Sequence, residues 1–251
     1  MITMYGGYSV TKRIGTAGVL ALISSLFCLQ PADAQNRPEW CEPDKRPEIN
    51  IKPKSDKVKY NFSKSIDQIN RKNIDTKNPY SDNVITKAGG LMSGGIETRH
   101  RFEIGTKERT YKKQVCAWYD KITVRIKIEP TIFVAREFGK NSCPRRAILE
   151  HEQKHIRVDR EIVQKYARKF GRAIKNYIDN NHVYGPVPSD GFKNMQKRMT
   201  DQINWVISRV GRRMERERQR RQQAVDTRKE YERVRNQCPA SQWPDEFGNR
   251  G

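Results

Sequence analysis

The feature that most constrains this chain is the run from Ser142 to about Asn180, where apolar residues recur at helical spacing behind a strong start signal. Ser142 can cap the first turn and Pro144 suits it, because the proline lacks an N–H that would go unpaired there anyway. At about 100° per residue, with His151 set at zero, His155 falls near 40°, Asp159 near 80° and Glu152 near 100°. Ile148, Ile162 and Tyr166 share that arc, and Leu149, Ile156 and Val163 border it. Lys154, Arg157, Glu161, Gln164, Lys165 and Arg168 take the opposite side. Two imidazoles and two carboxylates therefore project from the buried side of the helix. Burying them is costly unless they pair or hold a metal, so any fold built on this helix must carry a polar centre inside its core.

The sequence of that centre is His151-Glu152-Gln153-Lys154-His155, an H-E-x-x-H pattern. Imidazoles at i and i+4 lie one helical turn apart and can direct nitrogens at one zinc ion. The glutamate beside the first histidine is poorly placed to ligate, but it can take a proton from a water activated by the metal. His151 and His155 are thus the expected metal ligands and Glu152 the expected general base. A catalytic zinc needs a third protein ligand. Asp159 shares the face and is the first candidate, although it lies about 12 Å along the axis from His151 at 1.5 Å per residue. It can alternatively serve as a supporting acceptor for an imidazole N–H. His182, after the helix, and His100, on a strand, are the other candidates, and Tyr166 and Tyr184 are candidate oxyanion donors. Lys154 and Arg157 lie off the metal face and give the helix a charged back.

The stretch "HEQKHIRVDREIVQKYARKF" resembles a bacterial family of predicted secreted zinc-dependent proteases, formally a domain of unknown function. His151, Glu152, Gln153, His155 and the Tyr166-Ala167-Arg168-Lys169 segment match its pattern as they stand, and the strand "ITVRIKIEP" is similar too. The resemblance covers roughly residues 95 to 180. It implies a metal site at His151 and His155 with Glu152 as base, and names no substrate.

Ahead of the motif the pattern is that of strands. In "QVCAWYDKITVRIKIEP" (114–130), Ile122, Val124, Ile126 and Ile128 alternate with Thr123, Arg125, Lys127 and Glu129, which predicts a half-buried strand. Pro130 ends it, and "TIFVARE" (131–137) starts another; "GIETRHRFEI" (95–104) and "KVKYNF" (57–62) read as weaker strands. "SKSIDQINRKN" (63–73) reads as a short helix capped by Ser63 or Ser65, and the four glycines of "AGGLMSGG" (88–95) as a flexible turn region. No βαβ alternation is present, so the economical fold is α+β: a small antiparallel sheet, a zincin-like H-E-x-x-H helix and a long basic C-terminal helix. That last stretch is expected from about Asp190 to Asn236. Phe192, Met195, Met199, Ile203, Val206, Val210 and Met214 give it one apolar stripe, which fails in "ERERQRRQQ".

The N-terminus reads as a secretory signal peptide over residues 1–34. Lys12 and Arg13 precede a short apolar run, and Ala32-Asp33-Ala34 supplies a cleavage pattern. The rest divides into a lead-in (35–94), a sheet with the motif helix (95–189) and a basic extension (190–251). Cys41, Cys116, Cys143 and Cys238 remain after cleavage, and an even number in an oxidising compartment predicts two disulfides. Cys116–Cys143 and Cys41–Cys238 are the favoured pairs of the three pairings. The formal net charge of +21 and the arginine-rich segment 209–223 suggest an anionic envelope surface as a partner. An exported chain without a base-reading motif argues against nucleic acid, and no segment after the signal is apolar enough to span a bilayer. The expected function is an exported, periplasmic or secreted, zinc-dependent hydrolase acting on a peptide or protein. The alternative is a non-catalytic envelope scaffold that binds anionic components through its arginine-rich helix.

Overall fold

The computed structural model describes residues 38–72, 77–80 and 87–248; the expected signal segment, 1–34, lies outside the described residues. In chain order the elements are β1 (Glu48–Ser55), β2 (Lys59–Asn61), α1 (Ile66–Asn70), β3 (Gly90–Ser93), β4 (Ile96–Arg109), β5 (Gln114–Ile128), β6 (Thr131–Val134), α2 (Cys143–Asn180), β7 (Tyr184–Pro188), α3 (Phe192–Val225) and α4 (Arg228–Asn236). The class is mixed α/β, with two small sheets and long C-terminal helices.

β5 is the spine of the larger sheet. β4 runs antiparallel along one of its edges from end to end. The other edge is shared by β1, parallel to β5 over residues 121–128, and β7, antiparallel to its start. The smaller sheet has the order β2-β6-β3, with β2 parallel and β3 antiparallel to β6. The expected purely antiparallel sheet is therefore a mixed one. β1 and β5 are separated by several elements, so no hairpin dictates their direction.

A register shift in the β4–β5 ladder makes Asp120 an extra residue in β5. Such a bulge exchanges the two faces of a strand. Val115, Ala117 and Tyr119 before it, and Ile122, Val124, Ile126 and Ile128 after it, consequently face one core, together with the second half of α2 and the stripe of α3. Cys116 lies on the other face and bonds to Cys41, while Cys143 at the start of α2 bonds to Cys238 after α4. This corrects the expected pairing. Cys116 turns its back on α2, and α4 returns the chain to the N-terminal end of α2.

A second core joins β6, α1 and the first half of α2, through Ala147, Ile148 and Ile156, to Val234 and Trp243 of the C-terminal segment. α2 thus spans both cores. Ser142 caps it by accepting from Arg145 N, with Pro144 in the first turn, and Ser65 caps α1. Two expectations are overturned. The glycine-rich stretch forms β3, because Gly90 lets the strand press on α2: a Cβ there would stand 2.3 Å from Ile148 Cγ2. The long basic stretch is two helices, parted at Asp226-Thr227, with Thr227 capping α4 through Glu230 N.

Candidate metal centre

Where the two cores meet, the apolar contacts give way to polar ones. α2 contributes His151, Glu152, His155 and Asp159 from its inner face, as the wheel requires. α3 contributes Arg218 and Gln222, its last residue is followed by Asp226, and α4 adds Glu230 and Tyr231. The α3 stripe does not end at Met214 but continues at i+4 in polar form, through Arg218 and Gln222 to Asp226. Apart from Thr123, all the buried polar residues among the described ones belong to this centre, each 2–8% exposed.

The two histidines converge on one carboxylate oxygen. Asp226 Oδ1 lies 3.1 Å from His151 Nε2 and 3.2 Å from His155 Nε2. Each ring is oriented through its other nitrogen: His155 Nδ1 donates to Gln222 Oε1 at 2.6 Å, and His151 Nδ1 to Glu230 Oε1 at 3.3 Å. Gln222 then donates to Asp159 Oδ1 at 2.7 Å and to the His155 carbonyl at 3.2 Å. Arg218 grips both Asp159 oxygens, at 2.8 and 3.3 Å. Glu230 is held by Lys154 and Arg233, so the charged back of the motif helix supports the site. Tyr231 donates to Asp226 Oδ1 at 3.1 Å and packs its ring on His151. Glu152 accepts from Met92 N of β3 at 2.6 Å.

Burial opposes a charge on either histidine, but the hydrogen bond to Asp226 and the field of Glu152 outweigh it; His151 is raised and His155 is pushed up to about 9. Burial raises Glu152, against the fields of the two histidines. Burial also opposes the charge of Glu230, yet bonds from Arg233, Lys154 and His151 bring it down to about 2.

His151, His155 and Asp226 offer ligand atoms that lie within 4.8 Å of one another. A tetrahedral zinc with ligands at 2.0–2.2 Å sets its donors about 3.3–3.6 Å apart, a few tenths of an ångström wider than the nitrogen–oxygen separations of 3.1 and 3.2 Å seen here. Two neutral imidazoles and a carboxylate are also a donor set that zinc takes with a position left open for chemistry. The residues fit the ion.

Several expected residues stand elsewhere. Asp159 is not among the three residues whose donor atoms gather within 4.8 Å: its oxygens bond to Arg218 and Gln222, one turn beyond His155, and Gln222 links it to His155. His182 faces Glu42, and His100 faces Asn204. Tyr166 bonds to the Arg213 carbonyl and Glu217, and Tyr184 to Tyr177 and Gln202, so neither reaches the centre; Tyr231 does. Asp226 escapes a reading that follows apolar letters, although the spacing 214, 218, 222, 226 points to it.

No protein-family model, curated protein or solved structure matches the chain.

Proposed function

We propose that the chain is an exported zinc-dependent hydrolase cleaving a peptide bond, with His151, His155 and Asp226 as ligands and Glu152 as general base. The observation that carries the reading is the convergence of both imidazole Nε2 atoms on one buried Asp226 oxygen, each ring being steered from behind through Nδ1. Supporting partners of this kind fix the tautomer and raise the basicity of metal-ligating histidines. The H-E-Q-x-H resemblance, to a family of predicted proteases, supports a zincin-like role for α2 and names no substrate. Two disulfides, with no membrane-crossing helix among the described residues, are compatible with a periplasmic or extracellular setting.

Zinc, when bound, supplies Lewis acidity and with it a hydroxide nucleophile at neutral pH. The protein's own part falls to a few side chains. Gln222 and Glu230 keep the imidazole Nδ1 atoms protonated and the Nε2 atoms turned inward. Glu152 sits beside the ligands without belonging to them. Met92 N–H fixes one of its oxygens, which leaves the other to accept the proton of the attacking water and pass it to the leaving amine. Its burial strengthens its hold on that proton. Tyr231, with its hydroxyl on Asp226, orients the carboxylate.

Metal analysis of the purified protein and four variants tests the proposal. About one zinc per chain is expected, lost in His151→Ala and Asp226→Ala and kept in Asp159→Asn. Glu152→Gln should keep the zinc and lose hydrolysis of a peptide library. Freshly isolated protein that carries no zinc, takes none up, and is equally stable with and without chelator refutes it.

A further inference from the structure

Opposite its buried stripe, α3 carries a strip of another kind. On the helical wheel Trp205, Arg209, Arg212 and Arg216 fall within about 60° of one another at the outer pole, with Arg220 at the margin. All five are exposed. Trp205 keeps 56% of its surface, whereas Trp118 and Trp243 are buried. The Arg209 guanidinium lies 5.2 Å from the centre of the Trp205 ring. The nearby carboxylates are engaged elsewhere: Glu217 with Lys165 and Lys169, Glu215 with Arg218, Glu161 with Arg221, Asp201 with Lys197. Among the described residues no carboxylate pairs with these outer arginines. Beside the strip, Tyr166, Lys169, Arg213, Arg216 and Arg220 line a groove together with Glu217. Arg218, in the middle of the run, faces inward and belongs to the metal centre.

We infer that this face docks on the anionic phospholipid headgroups of a bilayer. Guanidinium groups present planar forks that match phosphate oxygens. An exposed indole among cations is suited to the headgroup level, where its apolar body and polar N–H are both accommodated. A single indole on a convex helix is a poor platform for a polynucleotide, which is held by successive aromatics along a groove. The contact is peripheral, since no described helix can cross the membrane. α3 then carries the docking strip on its outer face and Gln222 of the metal centre on its inner face.

The test uses the full mature protein and sedimentation with vesicles of phosphatidylglycerol mixed into phosphatidylcholine, beside phosphatidylcholine alone. Binding to the anionic vesicles only is expected, weakening with salt. Each basic side chain at such a surface is worth roughly fivefold in partitioning, so Arg209→Gln/Arg212→Gln/Arg216→Gln/Arg220→Gln together should cost more than about a hundredfold. Lys52→Gln/Lys57→Gln/Arg101→Gln/Lys140→Gln removes the same charge from other exposed positions and should cost far less. Brominated lipid should quench the tryptophan emission of the native protein, and Trp205→Phe should abolish that quenching. Far-ultraviolet circular dichroism checks that each variant keeps its helices. No binding to anionic vesicles, equal losses from the two quadruple variants, or quenching that survives Trp205→Phe overturns the inference. So does tighter binding of a single-stranded oligonucleotide through the same four arginines, which assigns the face to a polynucleotide.

Discussion

Gln222 is the most informative residue to change, because it links His155 to the Asp159–Arg218 pair. It is 3% exposed, and its amide group makes three bonds: it accepts from His155 Nδ1 and donates to Asp159 and to the His155 carbonyl. Gln222→Leu conserves most of the volume and removes all three. Asp159 keeps Arg218, so the group left stranded is the His155 Nδ1–H, and an unsatisfied buried donor costs about 1–3 kcal/mol. The same ring loses the acceptor that turns Nε2 toward Asp226. Losses of supporting acceptors behind metal-bound histidines weaken affinity about 10–100-fold, or about 1.4–2.7 kcal/mol. The variant should therefore lose both stability in urea, measured on metal-stripped protein, and zinc affinity, measured by competition with a chromophoric chelator. Gln222→Glu separates the two effects. It restores an acceptor for His155, and so most of the zinc affinity, but sets a second carboxylate against Asp159 and should remain unstable. A Leu variant whose zinc affinity stays within about twofold of the native value, while its stability falls, would reduce Gln222 to core packing and refute the reasoning.

Three further outcomes follow from the same geometry. His155 in the metal-free protein has its pKa raised to about 9, so its contribution to stability is complete below about pH 6.5 and is lost as pH rises through 9; His151 is raised in the same sense. Zinc must displace those protons, so calorimetry at pH 7 in two buffers of different ionisation enthalpy should report proton release on zinc binding, with affinity increasing toward pH 9, and equal heats in both buffers would contradict it. Arg218→Met removes the guanidinium that compensates the buried Asp159 charge and should cost about 3–5 kcal/mol in urea unfolding, whereas Arg216→Met, two residues earlier and exposed, should stay within about 0.5 kcal/mol. Gly90→Ala puts a Cβ 2.3 Å from Ile148 Cγ2 and 3.0 Å from Glu152 Oε1, so it should cost about 1–3 kcal/mol and slow hydrolysis while zinc stays bound.

Much of this was legible in the chain because α2 obeys a single period over its whole length. Ser142, Pro144 and the inward placement of His151, Glu152, His155 and Asp159 all follow from local rules that neighbours do not override. β5 was half legible: the alternation of Ile122 to Ile128 marks its core face, but the extra residue at Asp120 reverses the parity before it. That reversal puts Cys116 on the far face, and the disulfide pairing depends on it. Asp226, the third member of the candidate metal group, was hidden for a different reason. "ERERQRRQQ" looks like solvated charge by composition, yet Arg218 and Gln222 sit where the stripe predicts buried residues. Their burial is tolerable only because α2 presents Asp159 and His155 opposite them, which is a tertiary fact. β3 was lost in the same way, since the glycines that suggest a turn are what permit close packing on α2.

The centre also explains why α3 and α4 are two helices rather than one. The break leaves Asp226 at the seam, where its carboxylate faces both imidazoles, and starts a new helix whose first turn brings Glu230 behind His151 and Tyr231 onto the ring. Asp226, Glu230 and Tyr231 thereby meet His151 from the end of one helix and the first turn of the next. α4 is then fixed at its far end by the disulfide from Cys143 to Cys238. One end of this short helix is therefore tied by a covalent bond and the other by the polar centre. In the metal-free protein that second tie is made by protons shared between imidazoles and Asp226. Under the proposed function zinc would take the place of those protons and hold the same three side chains, so folding and metal binding would draw on one set of residues.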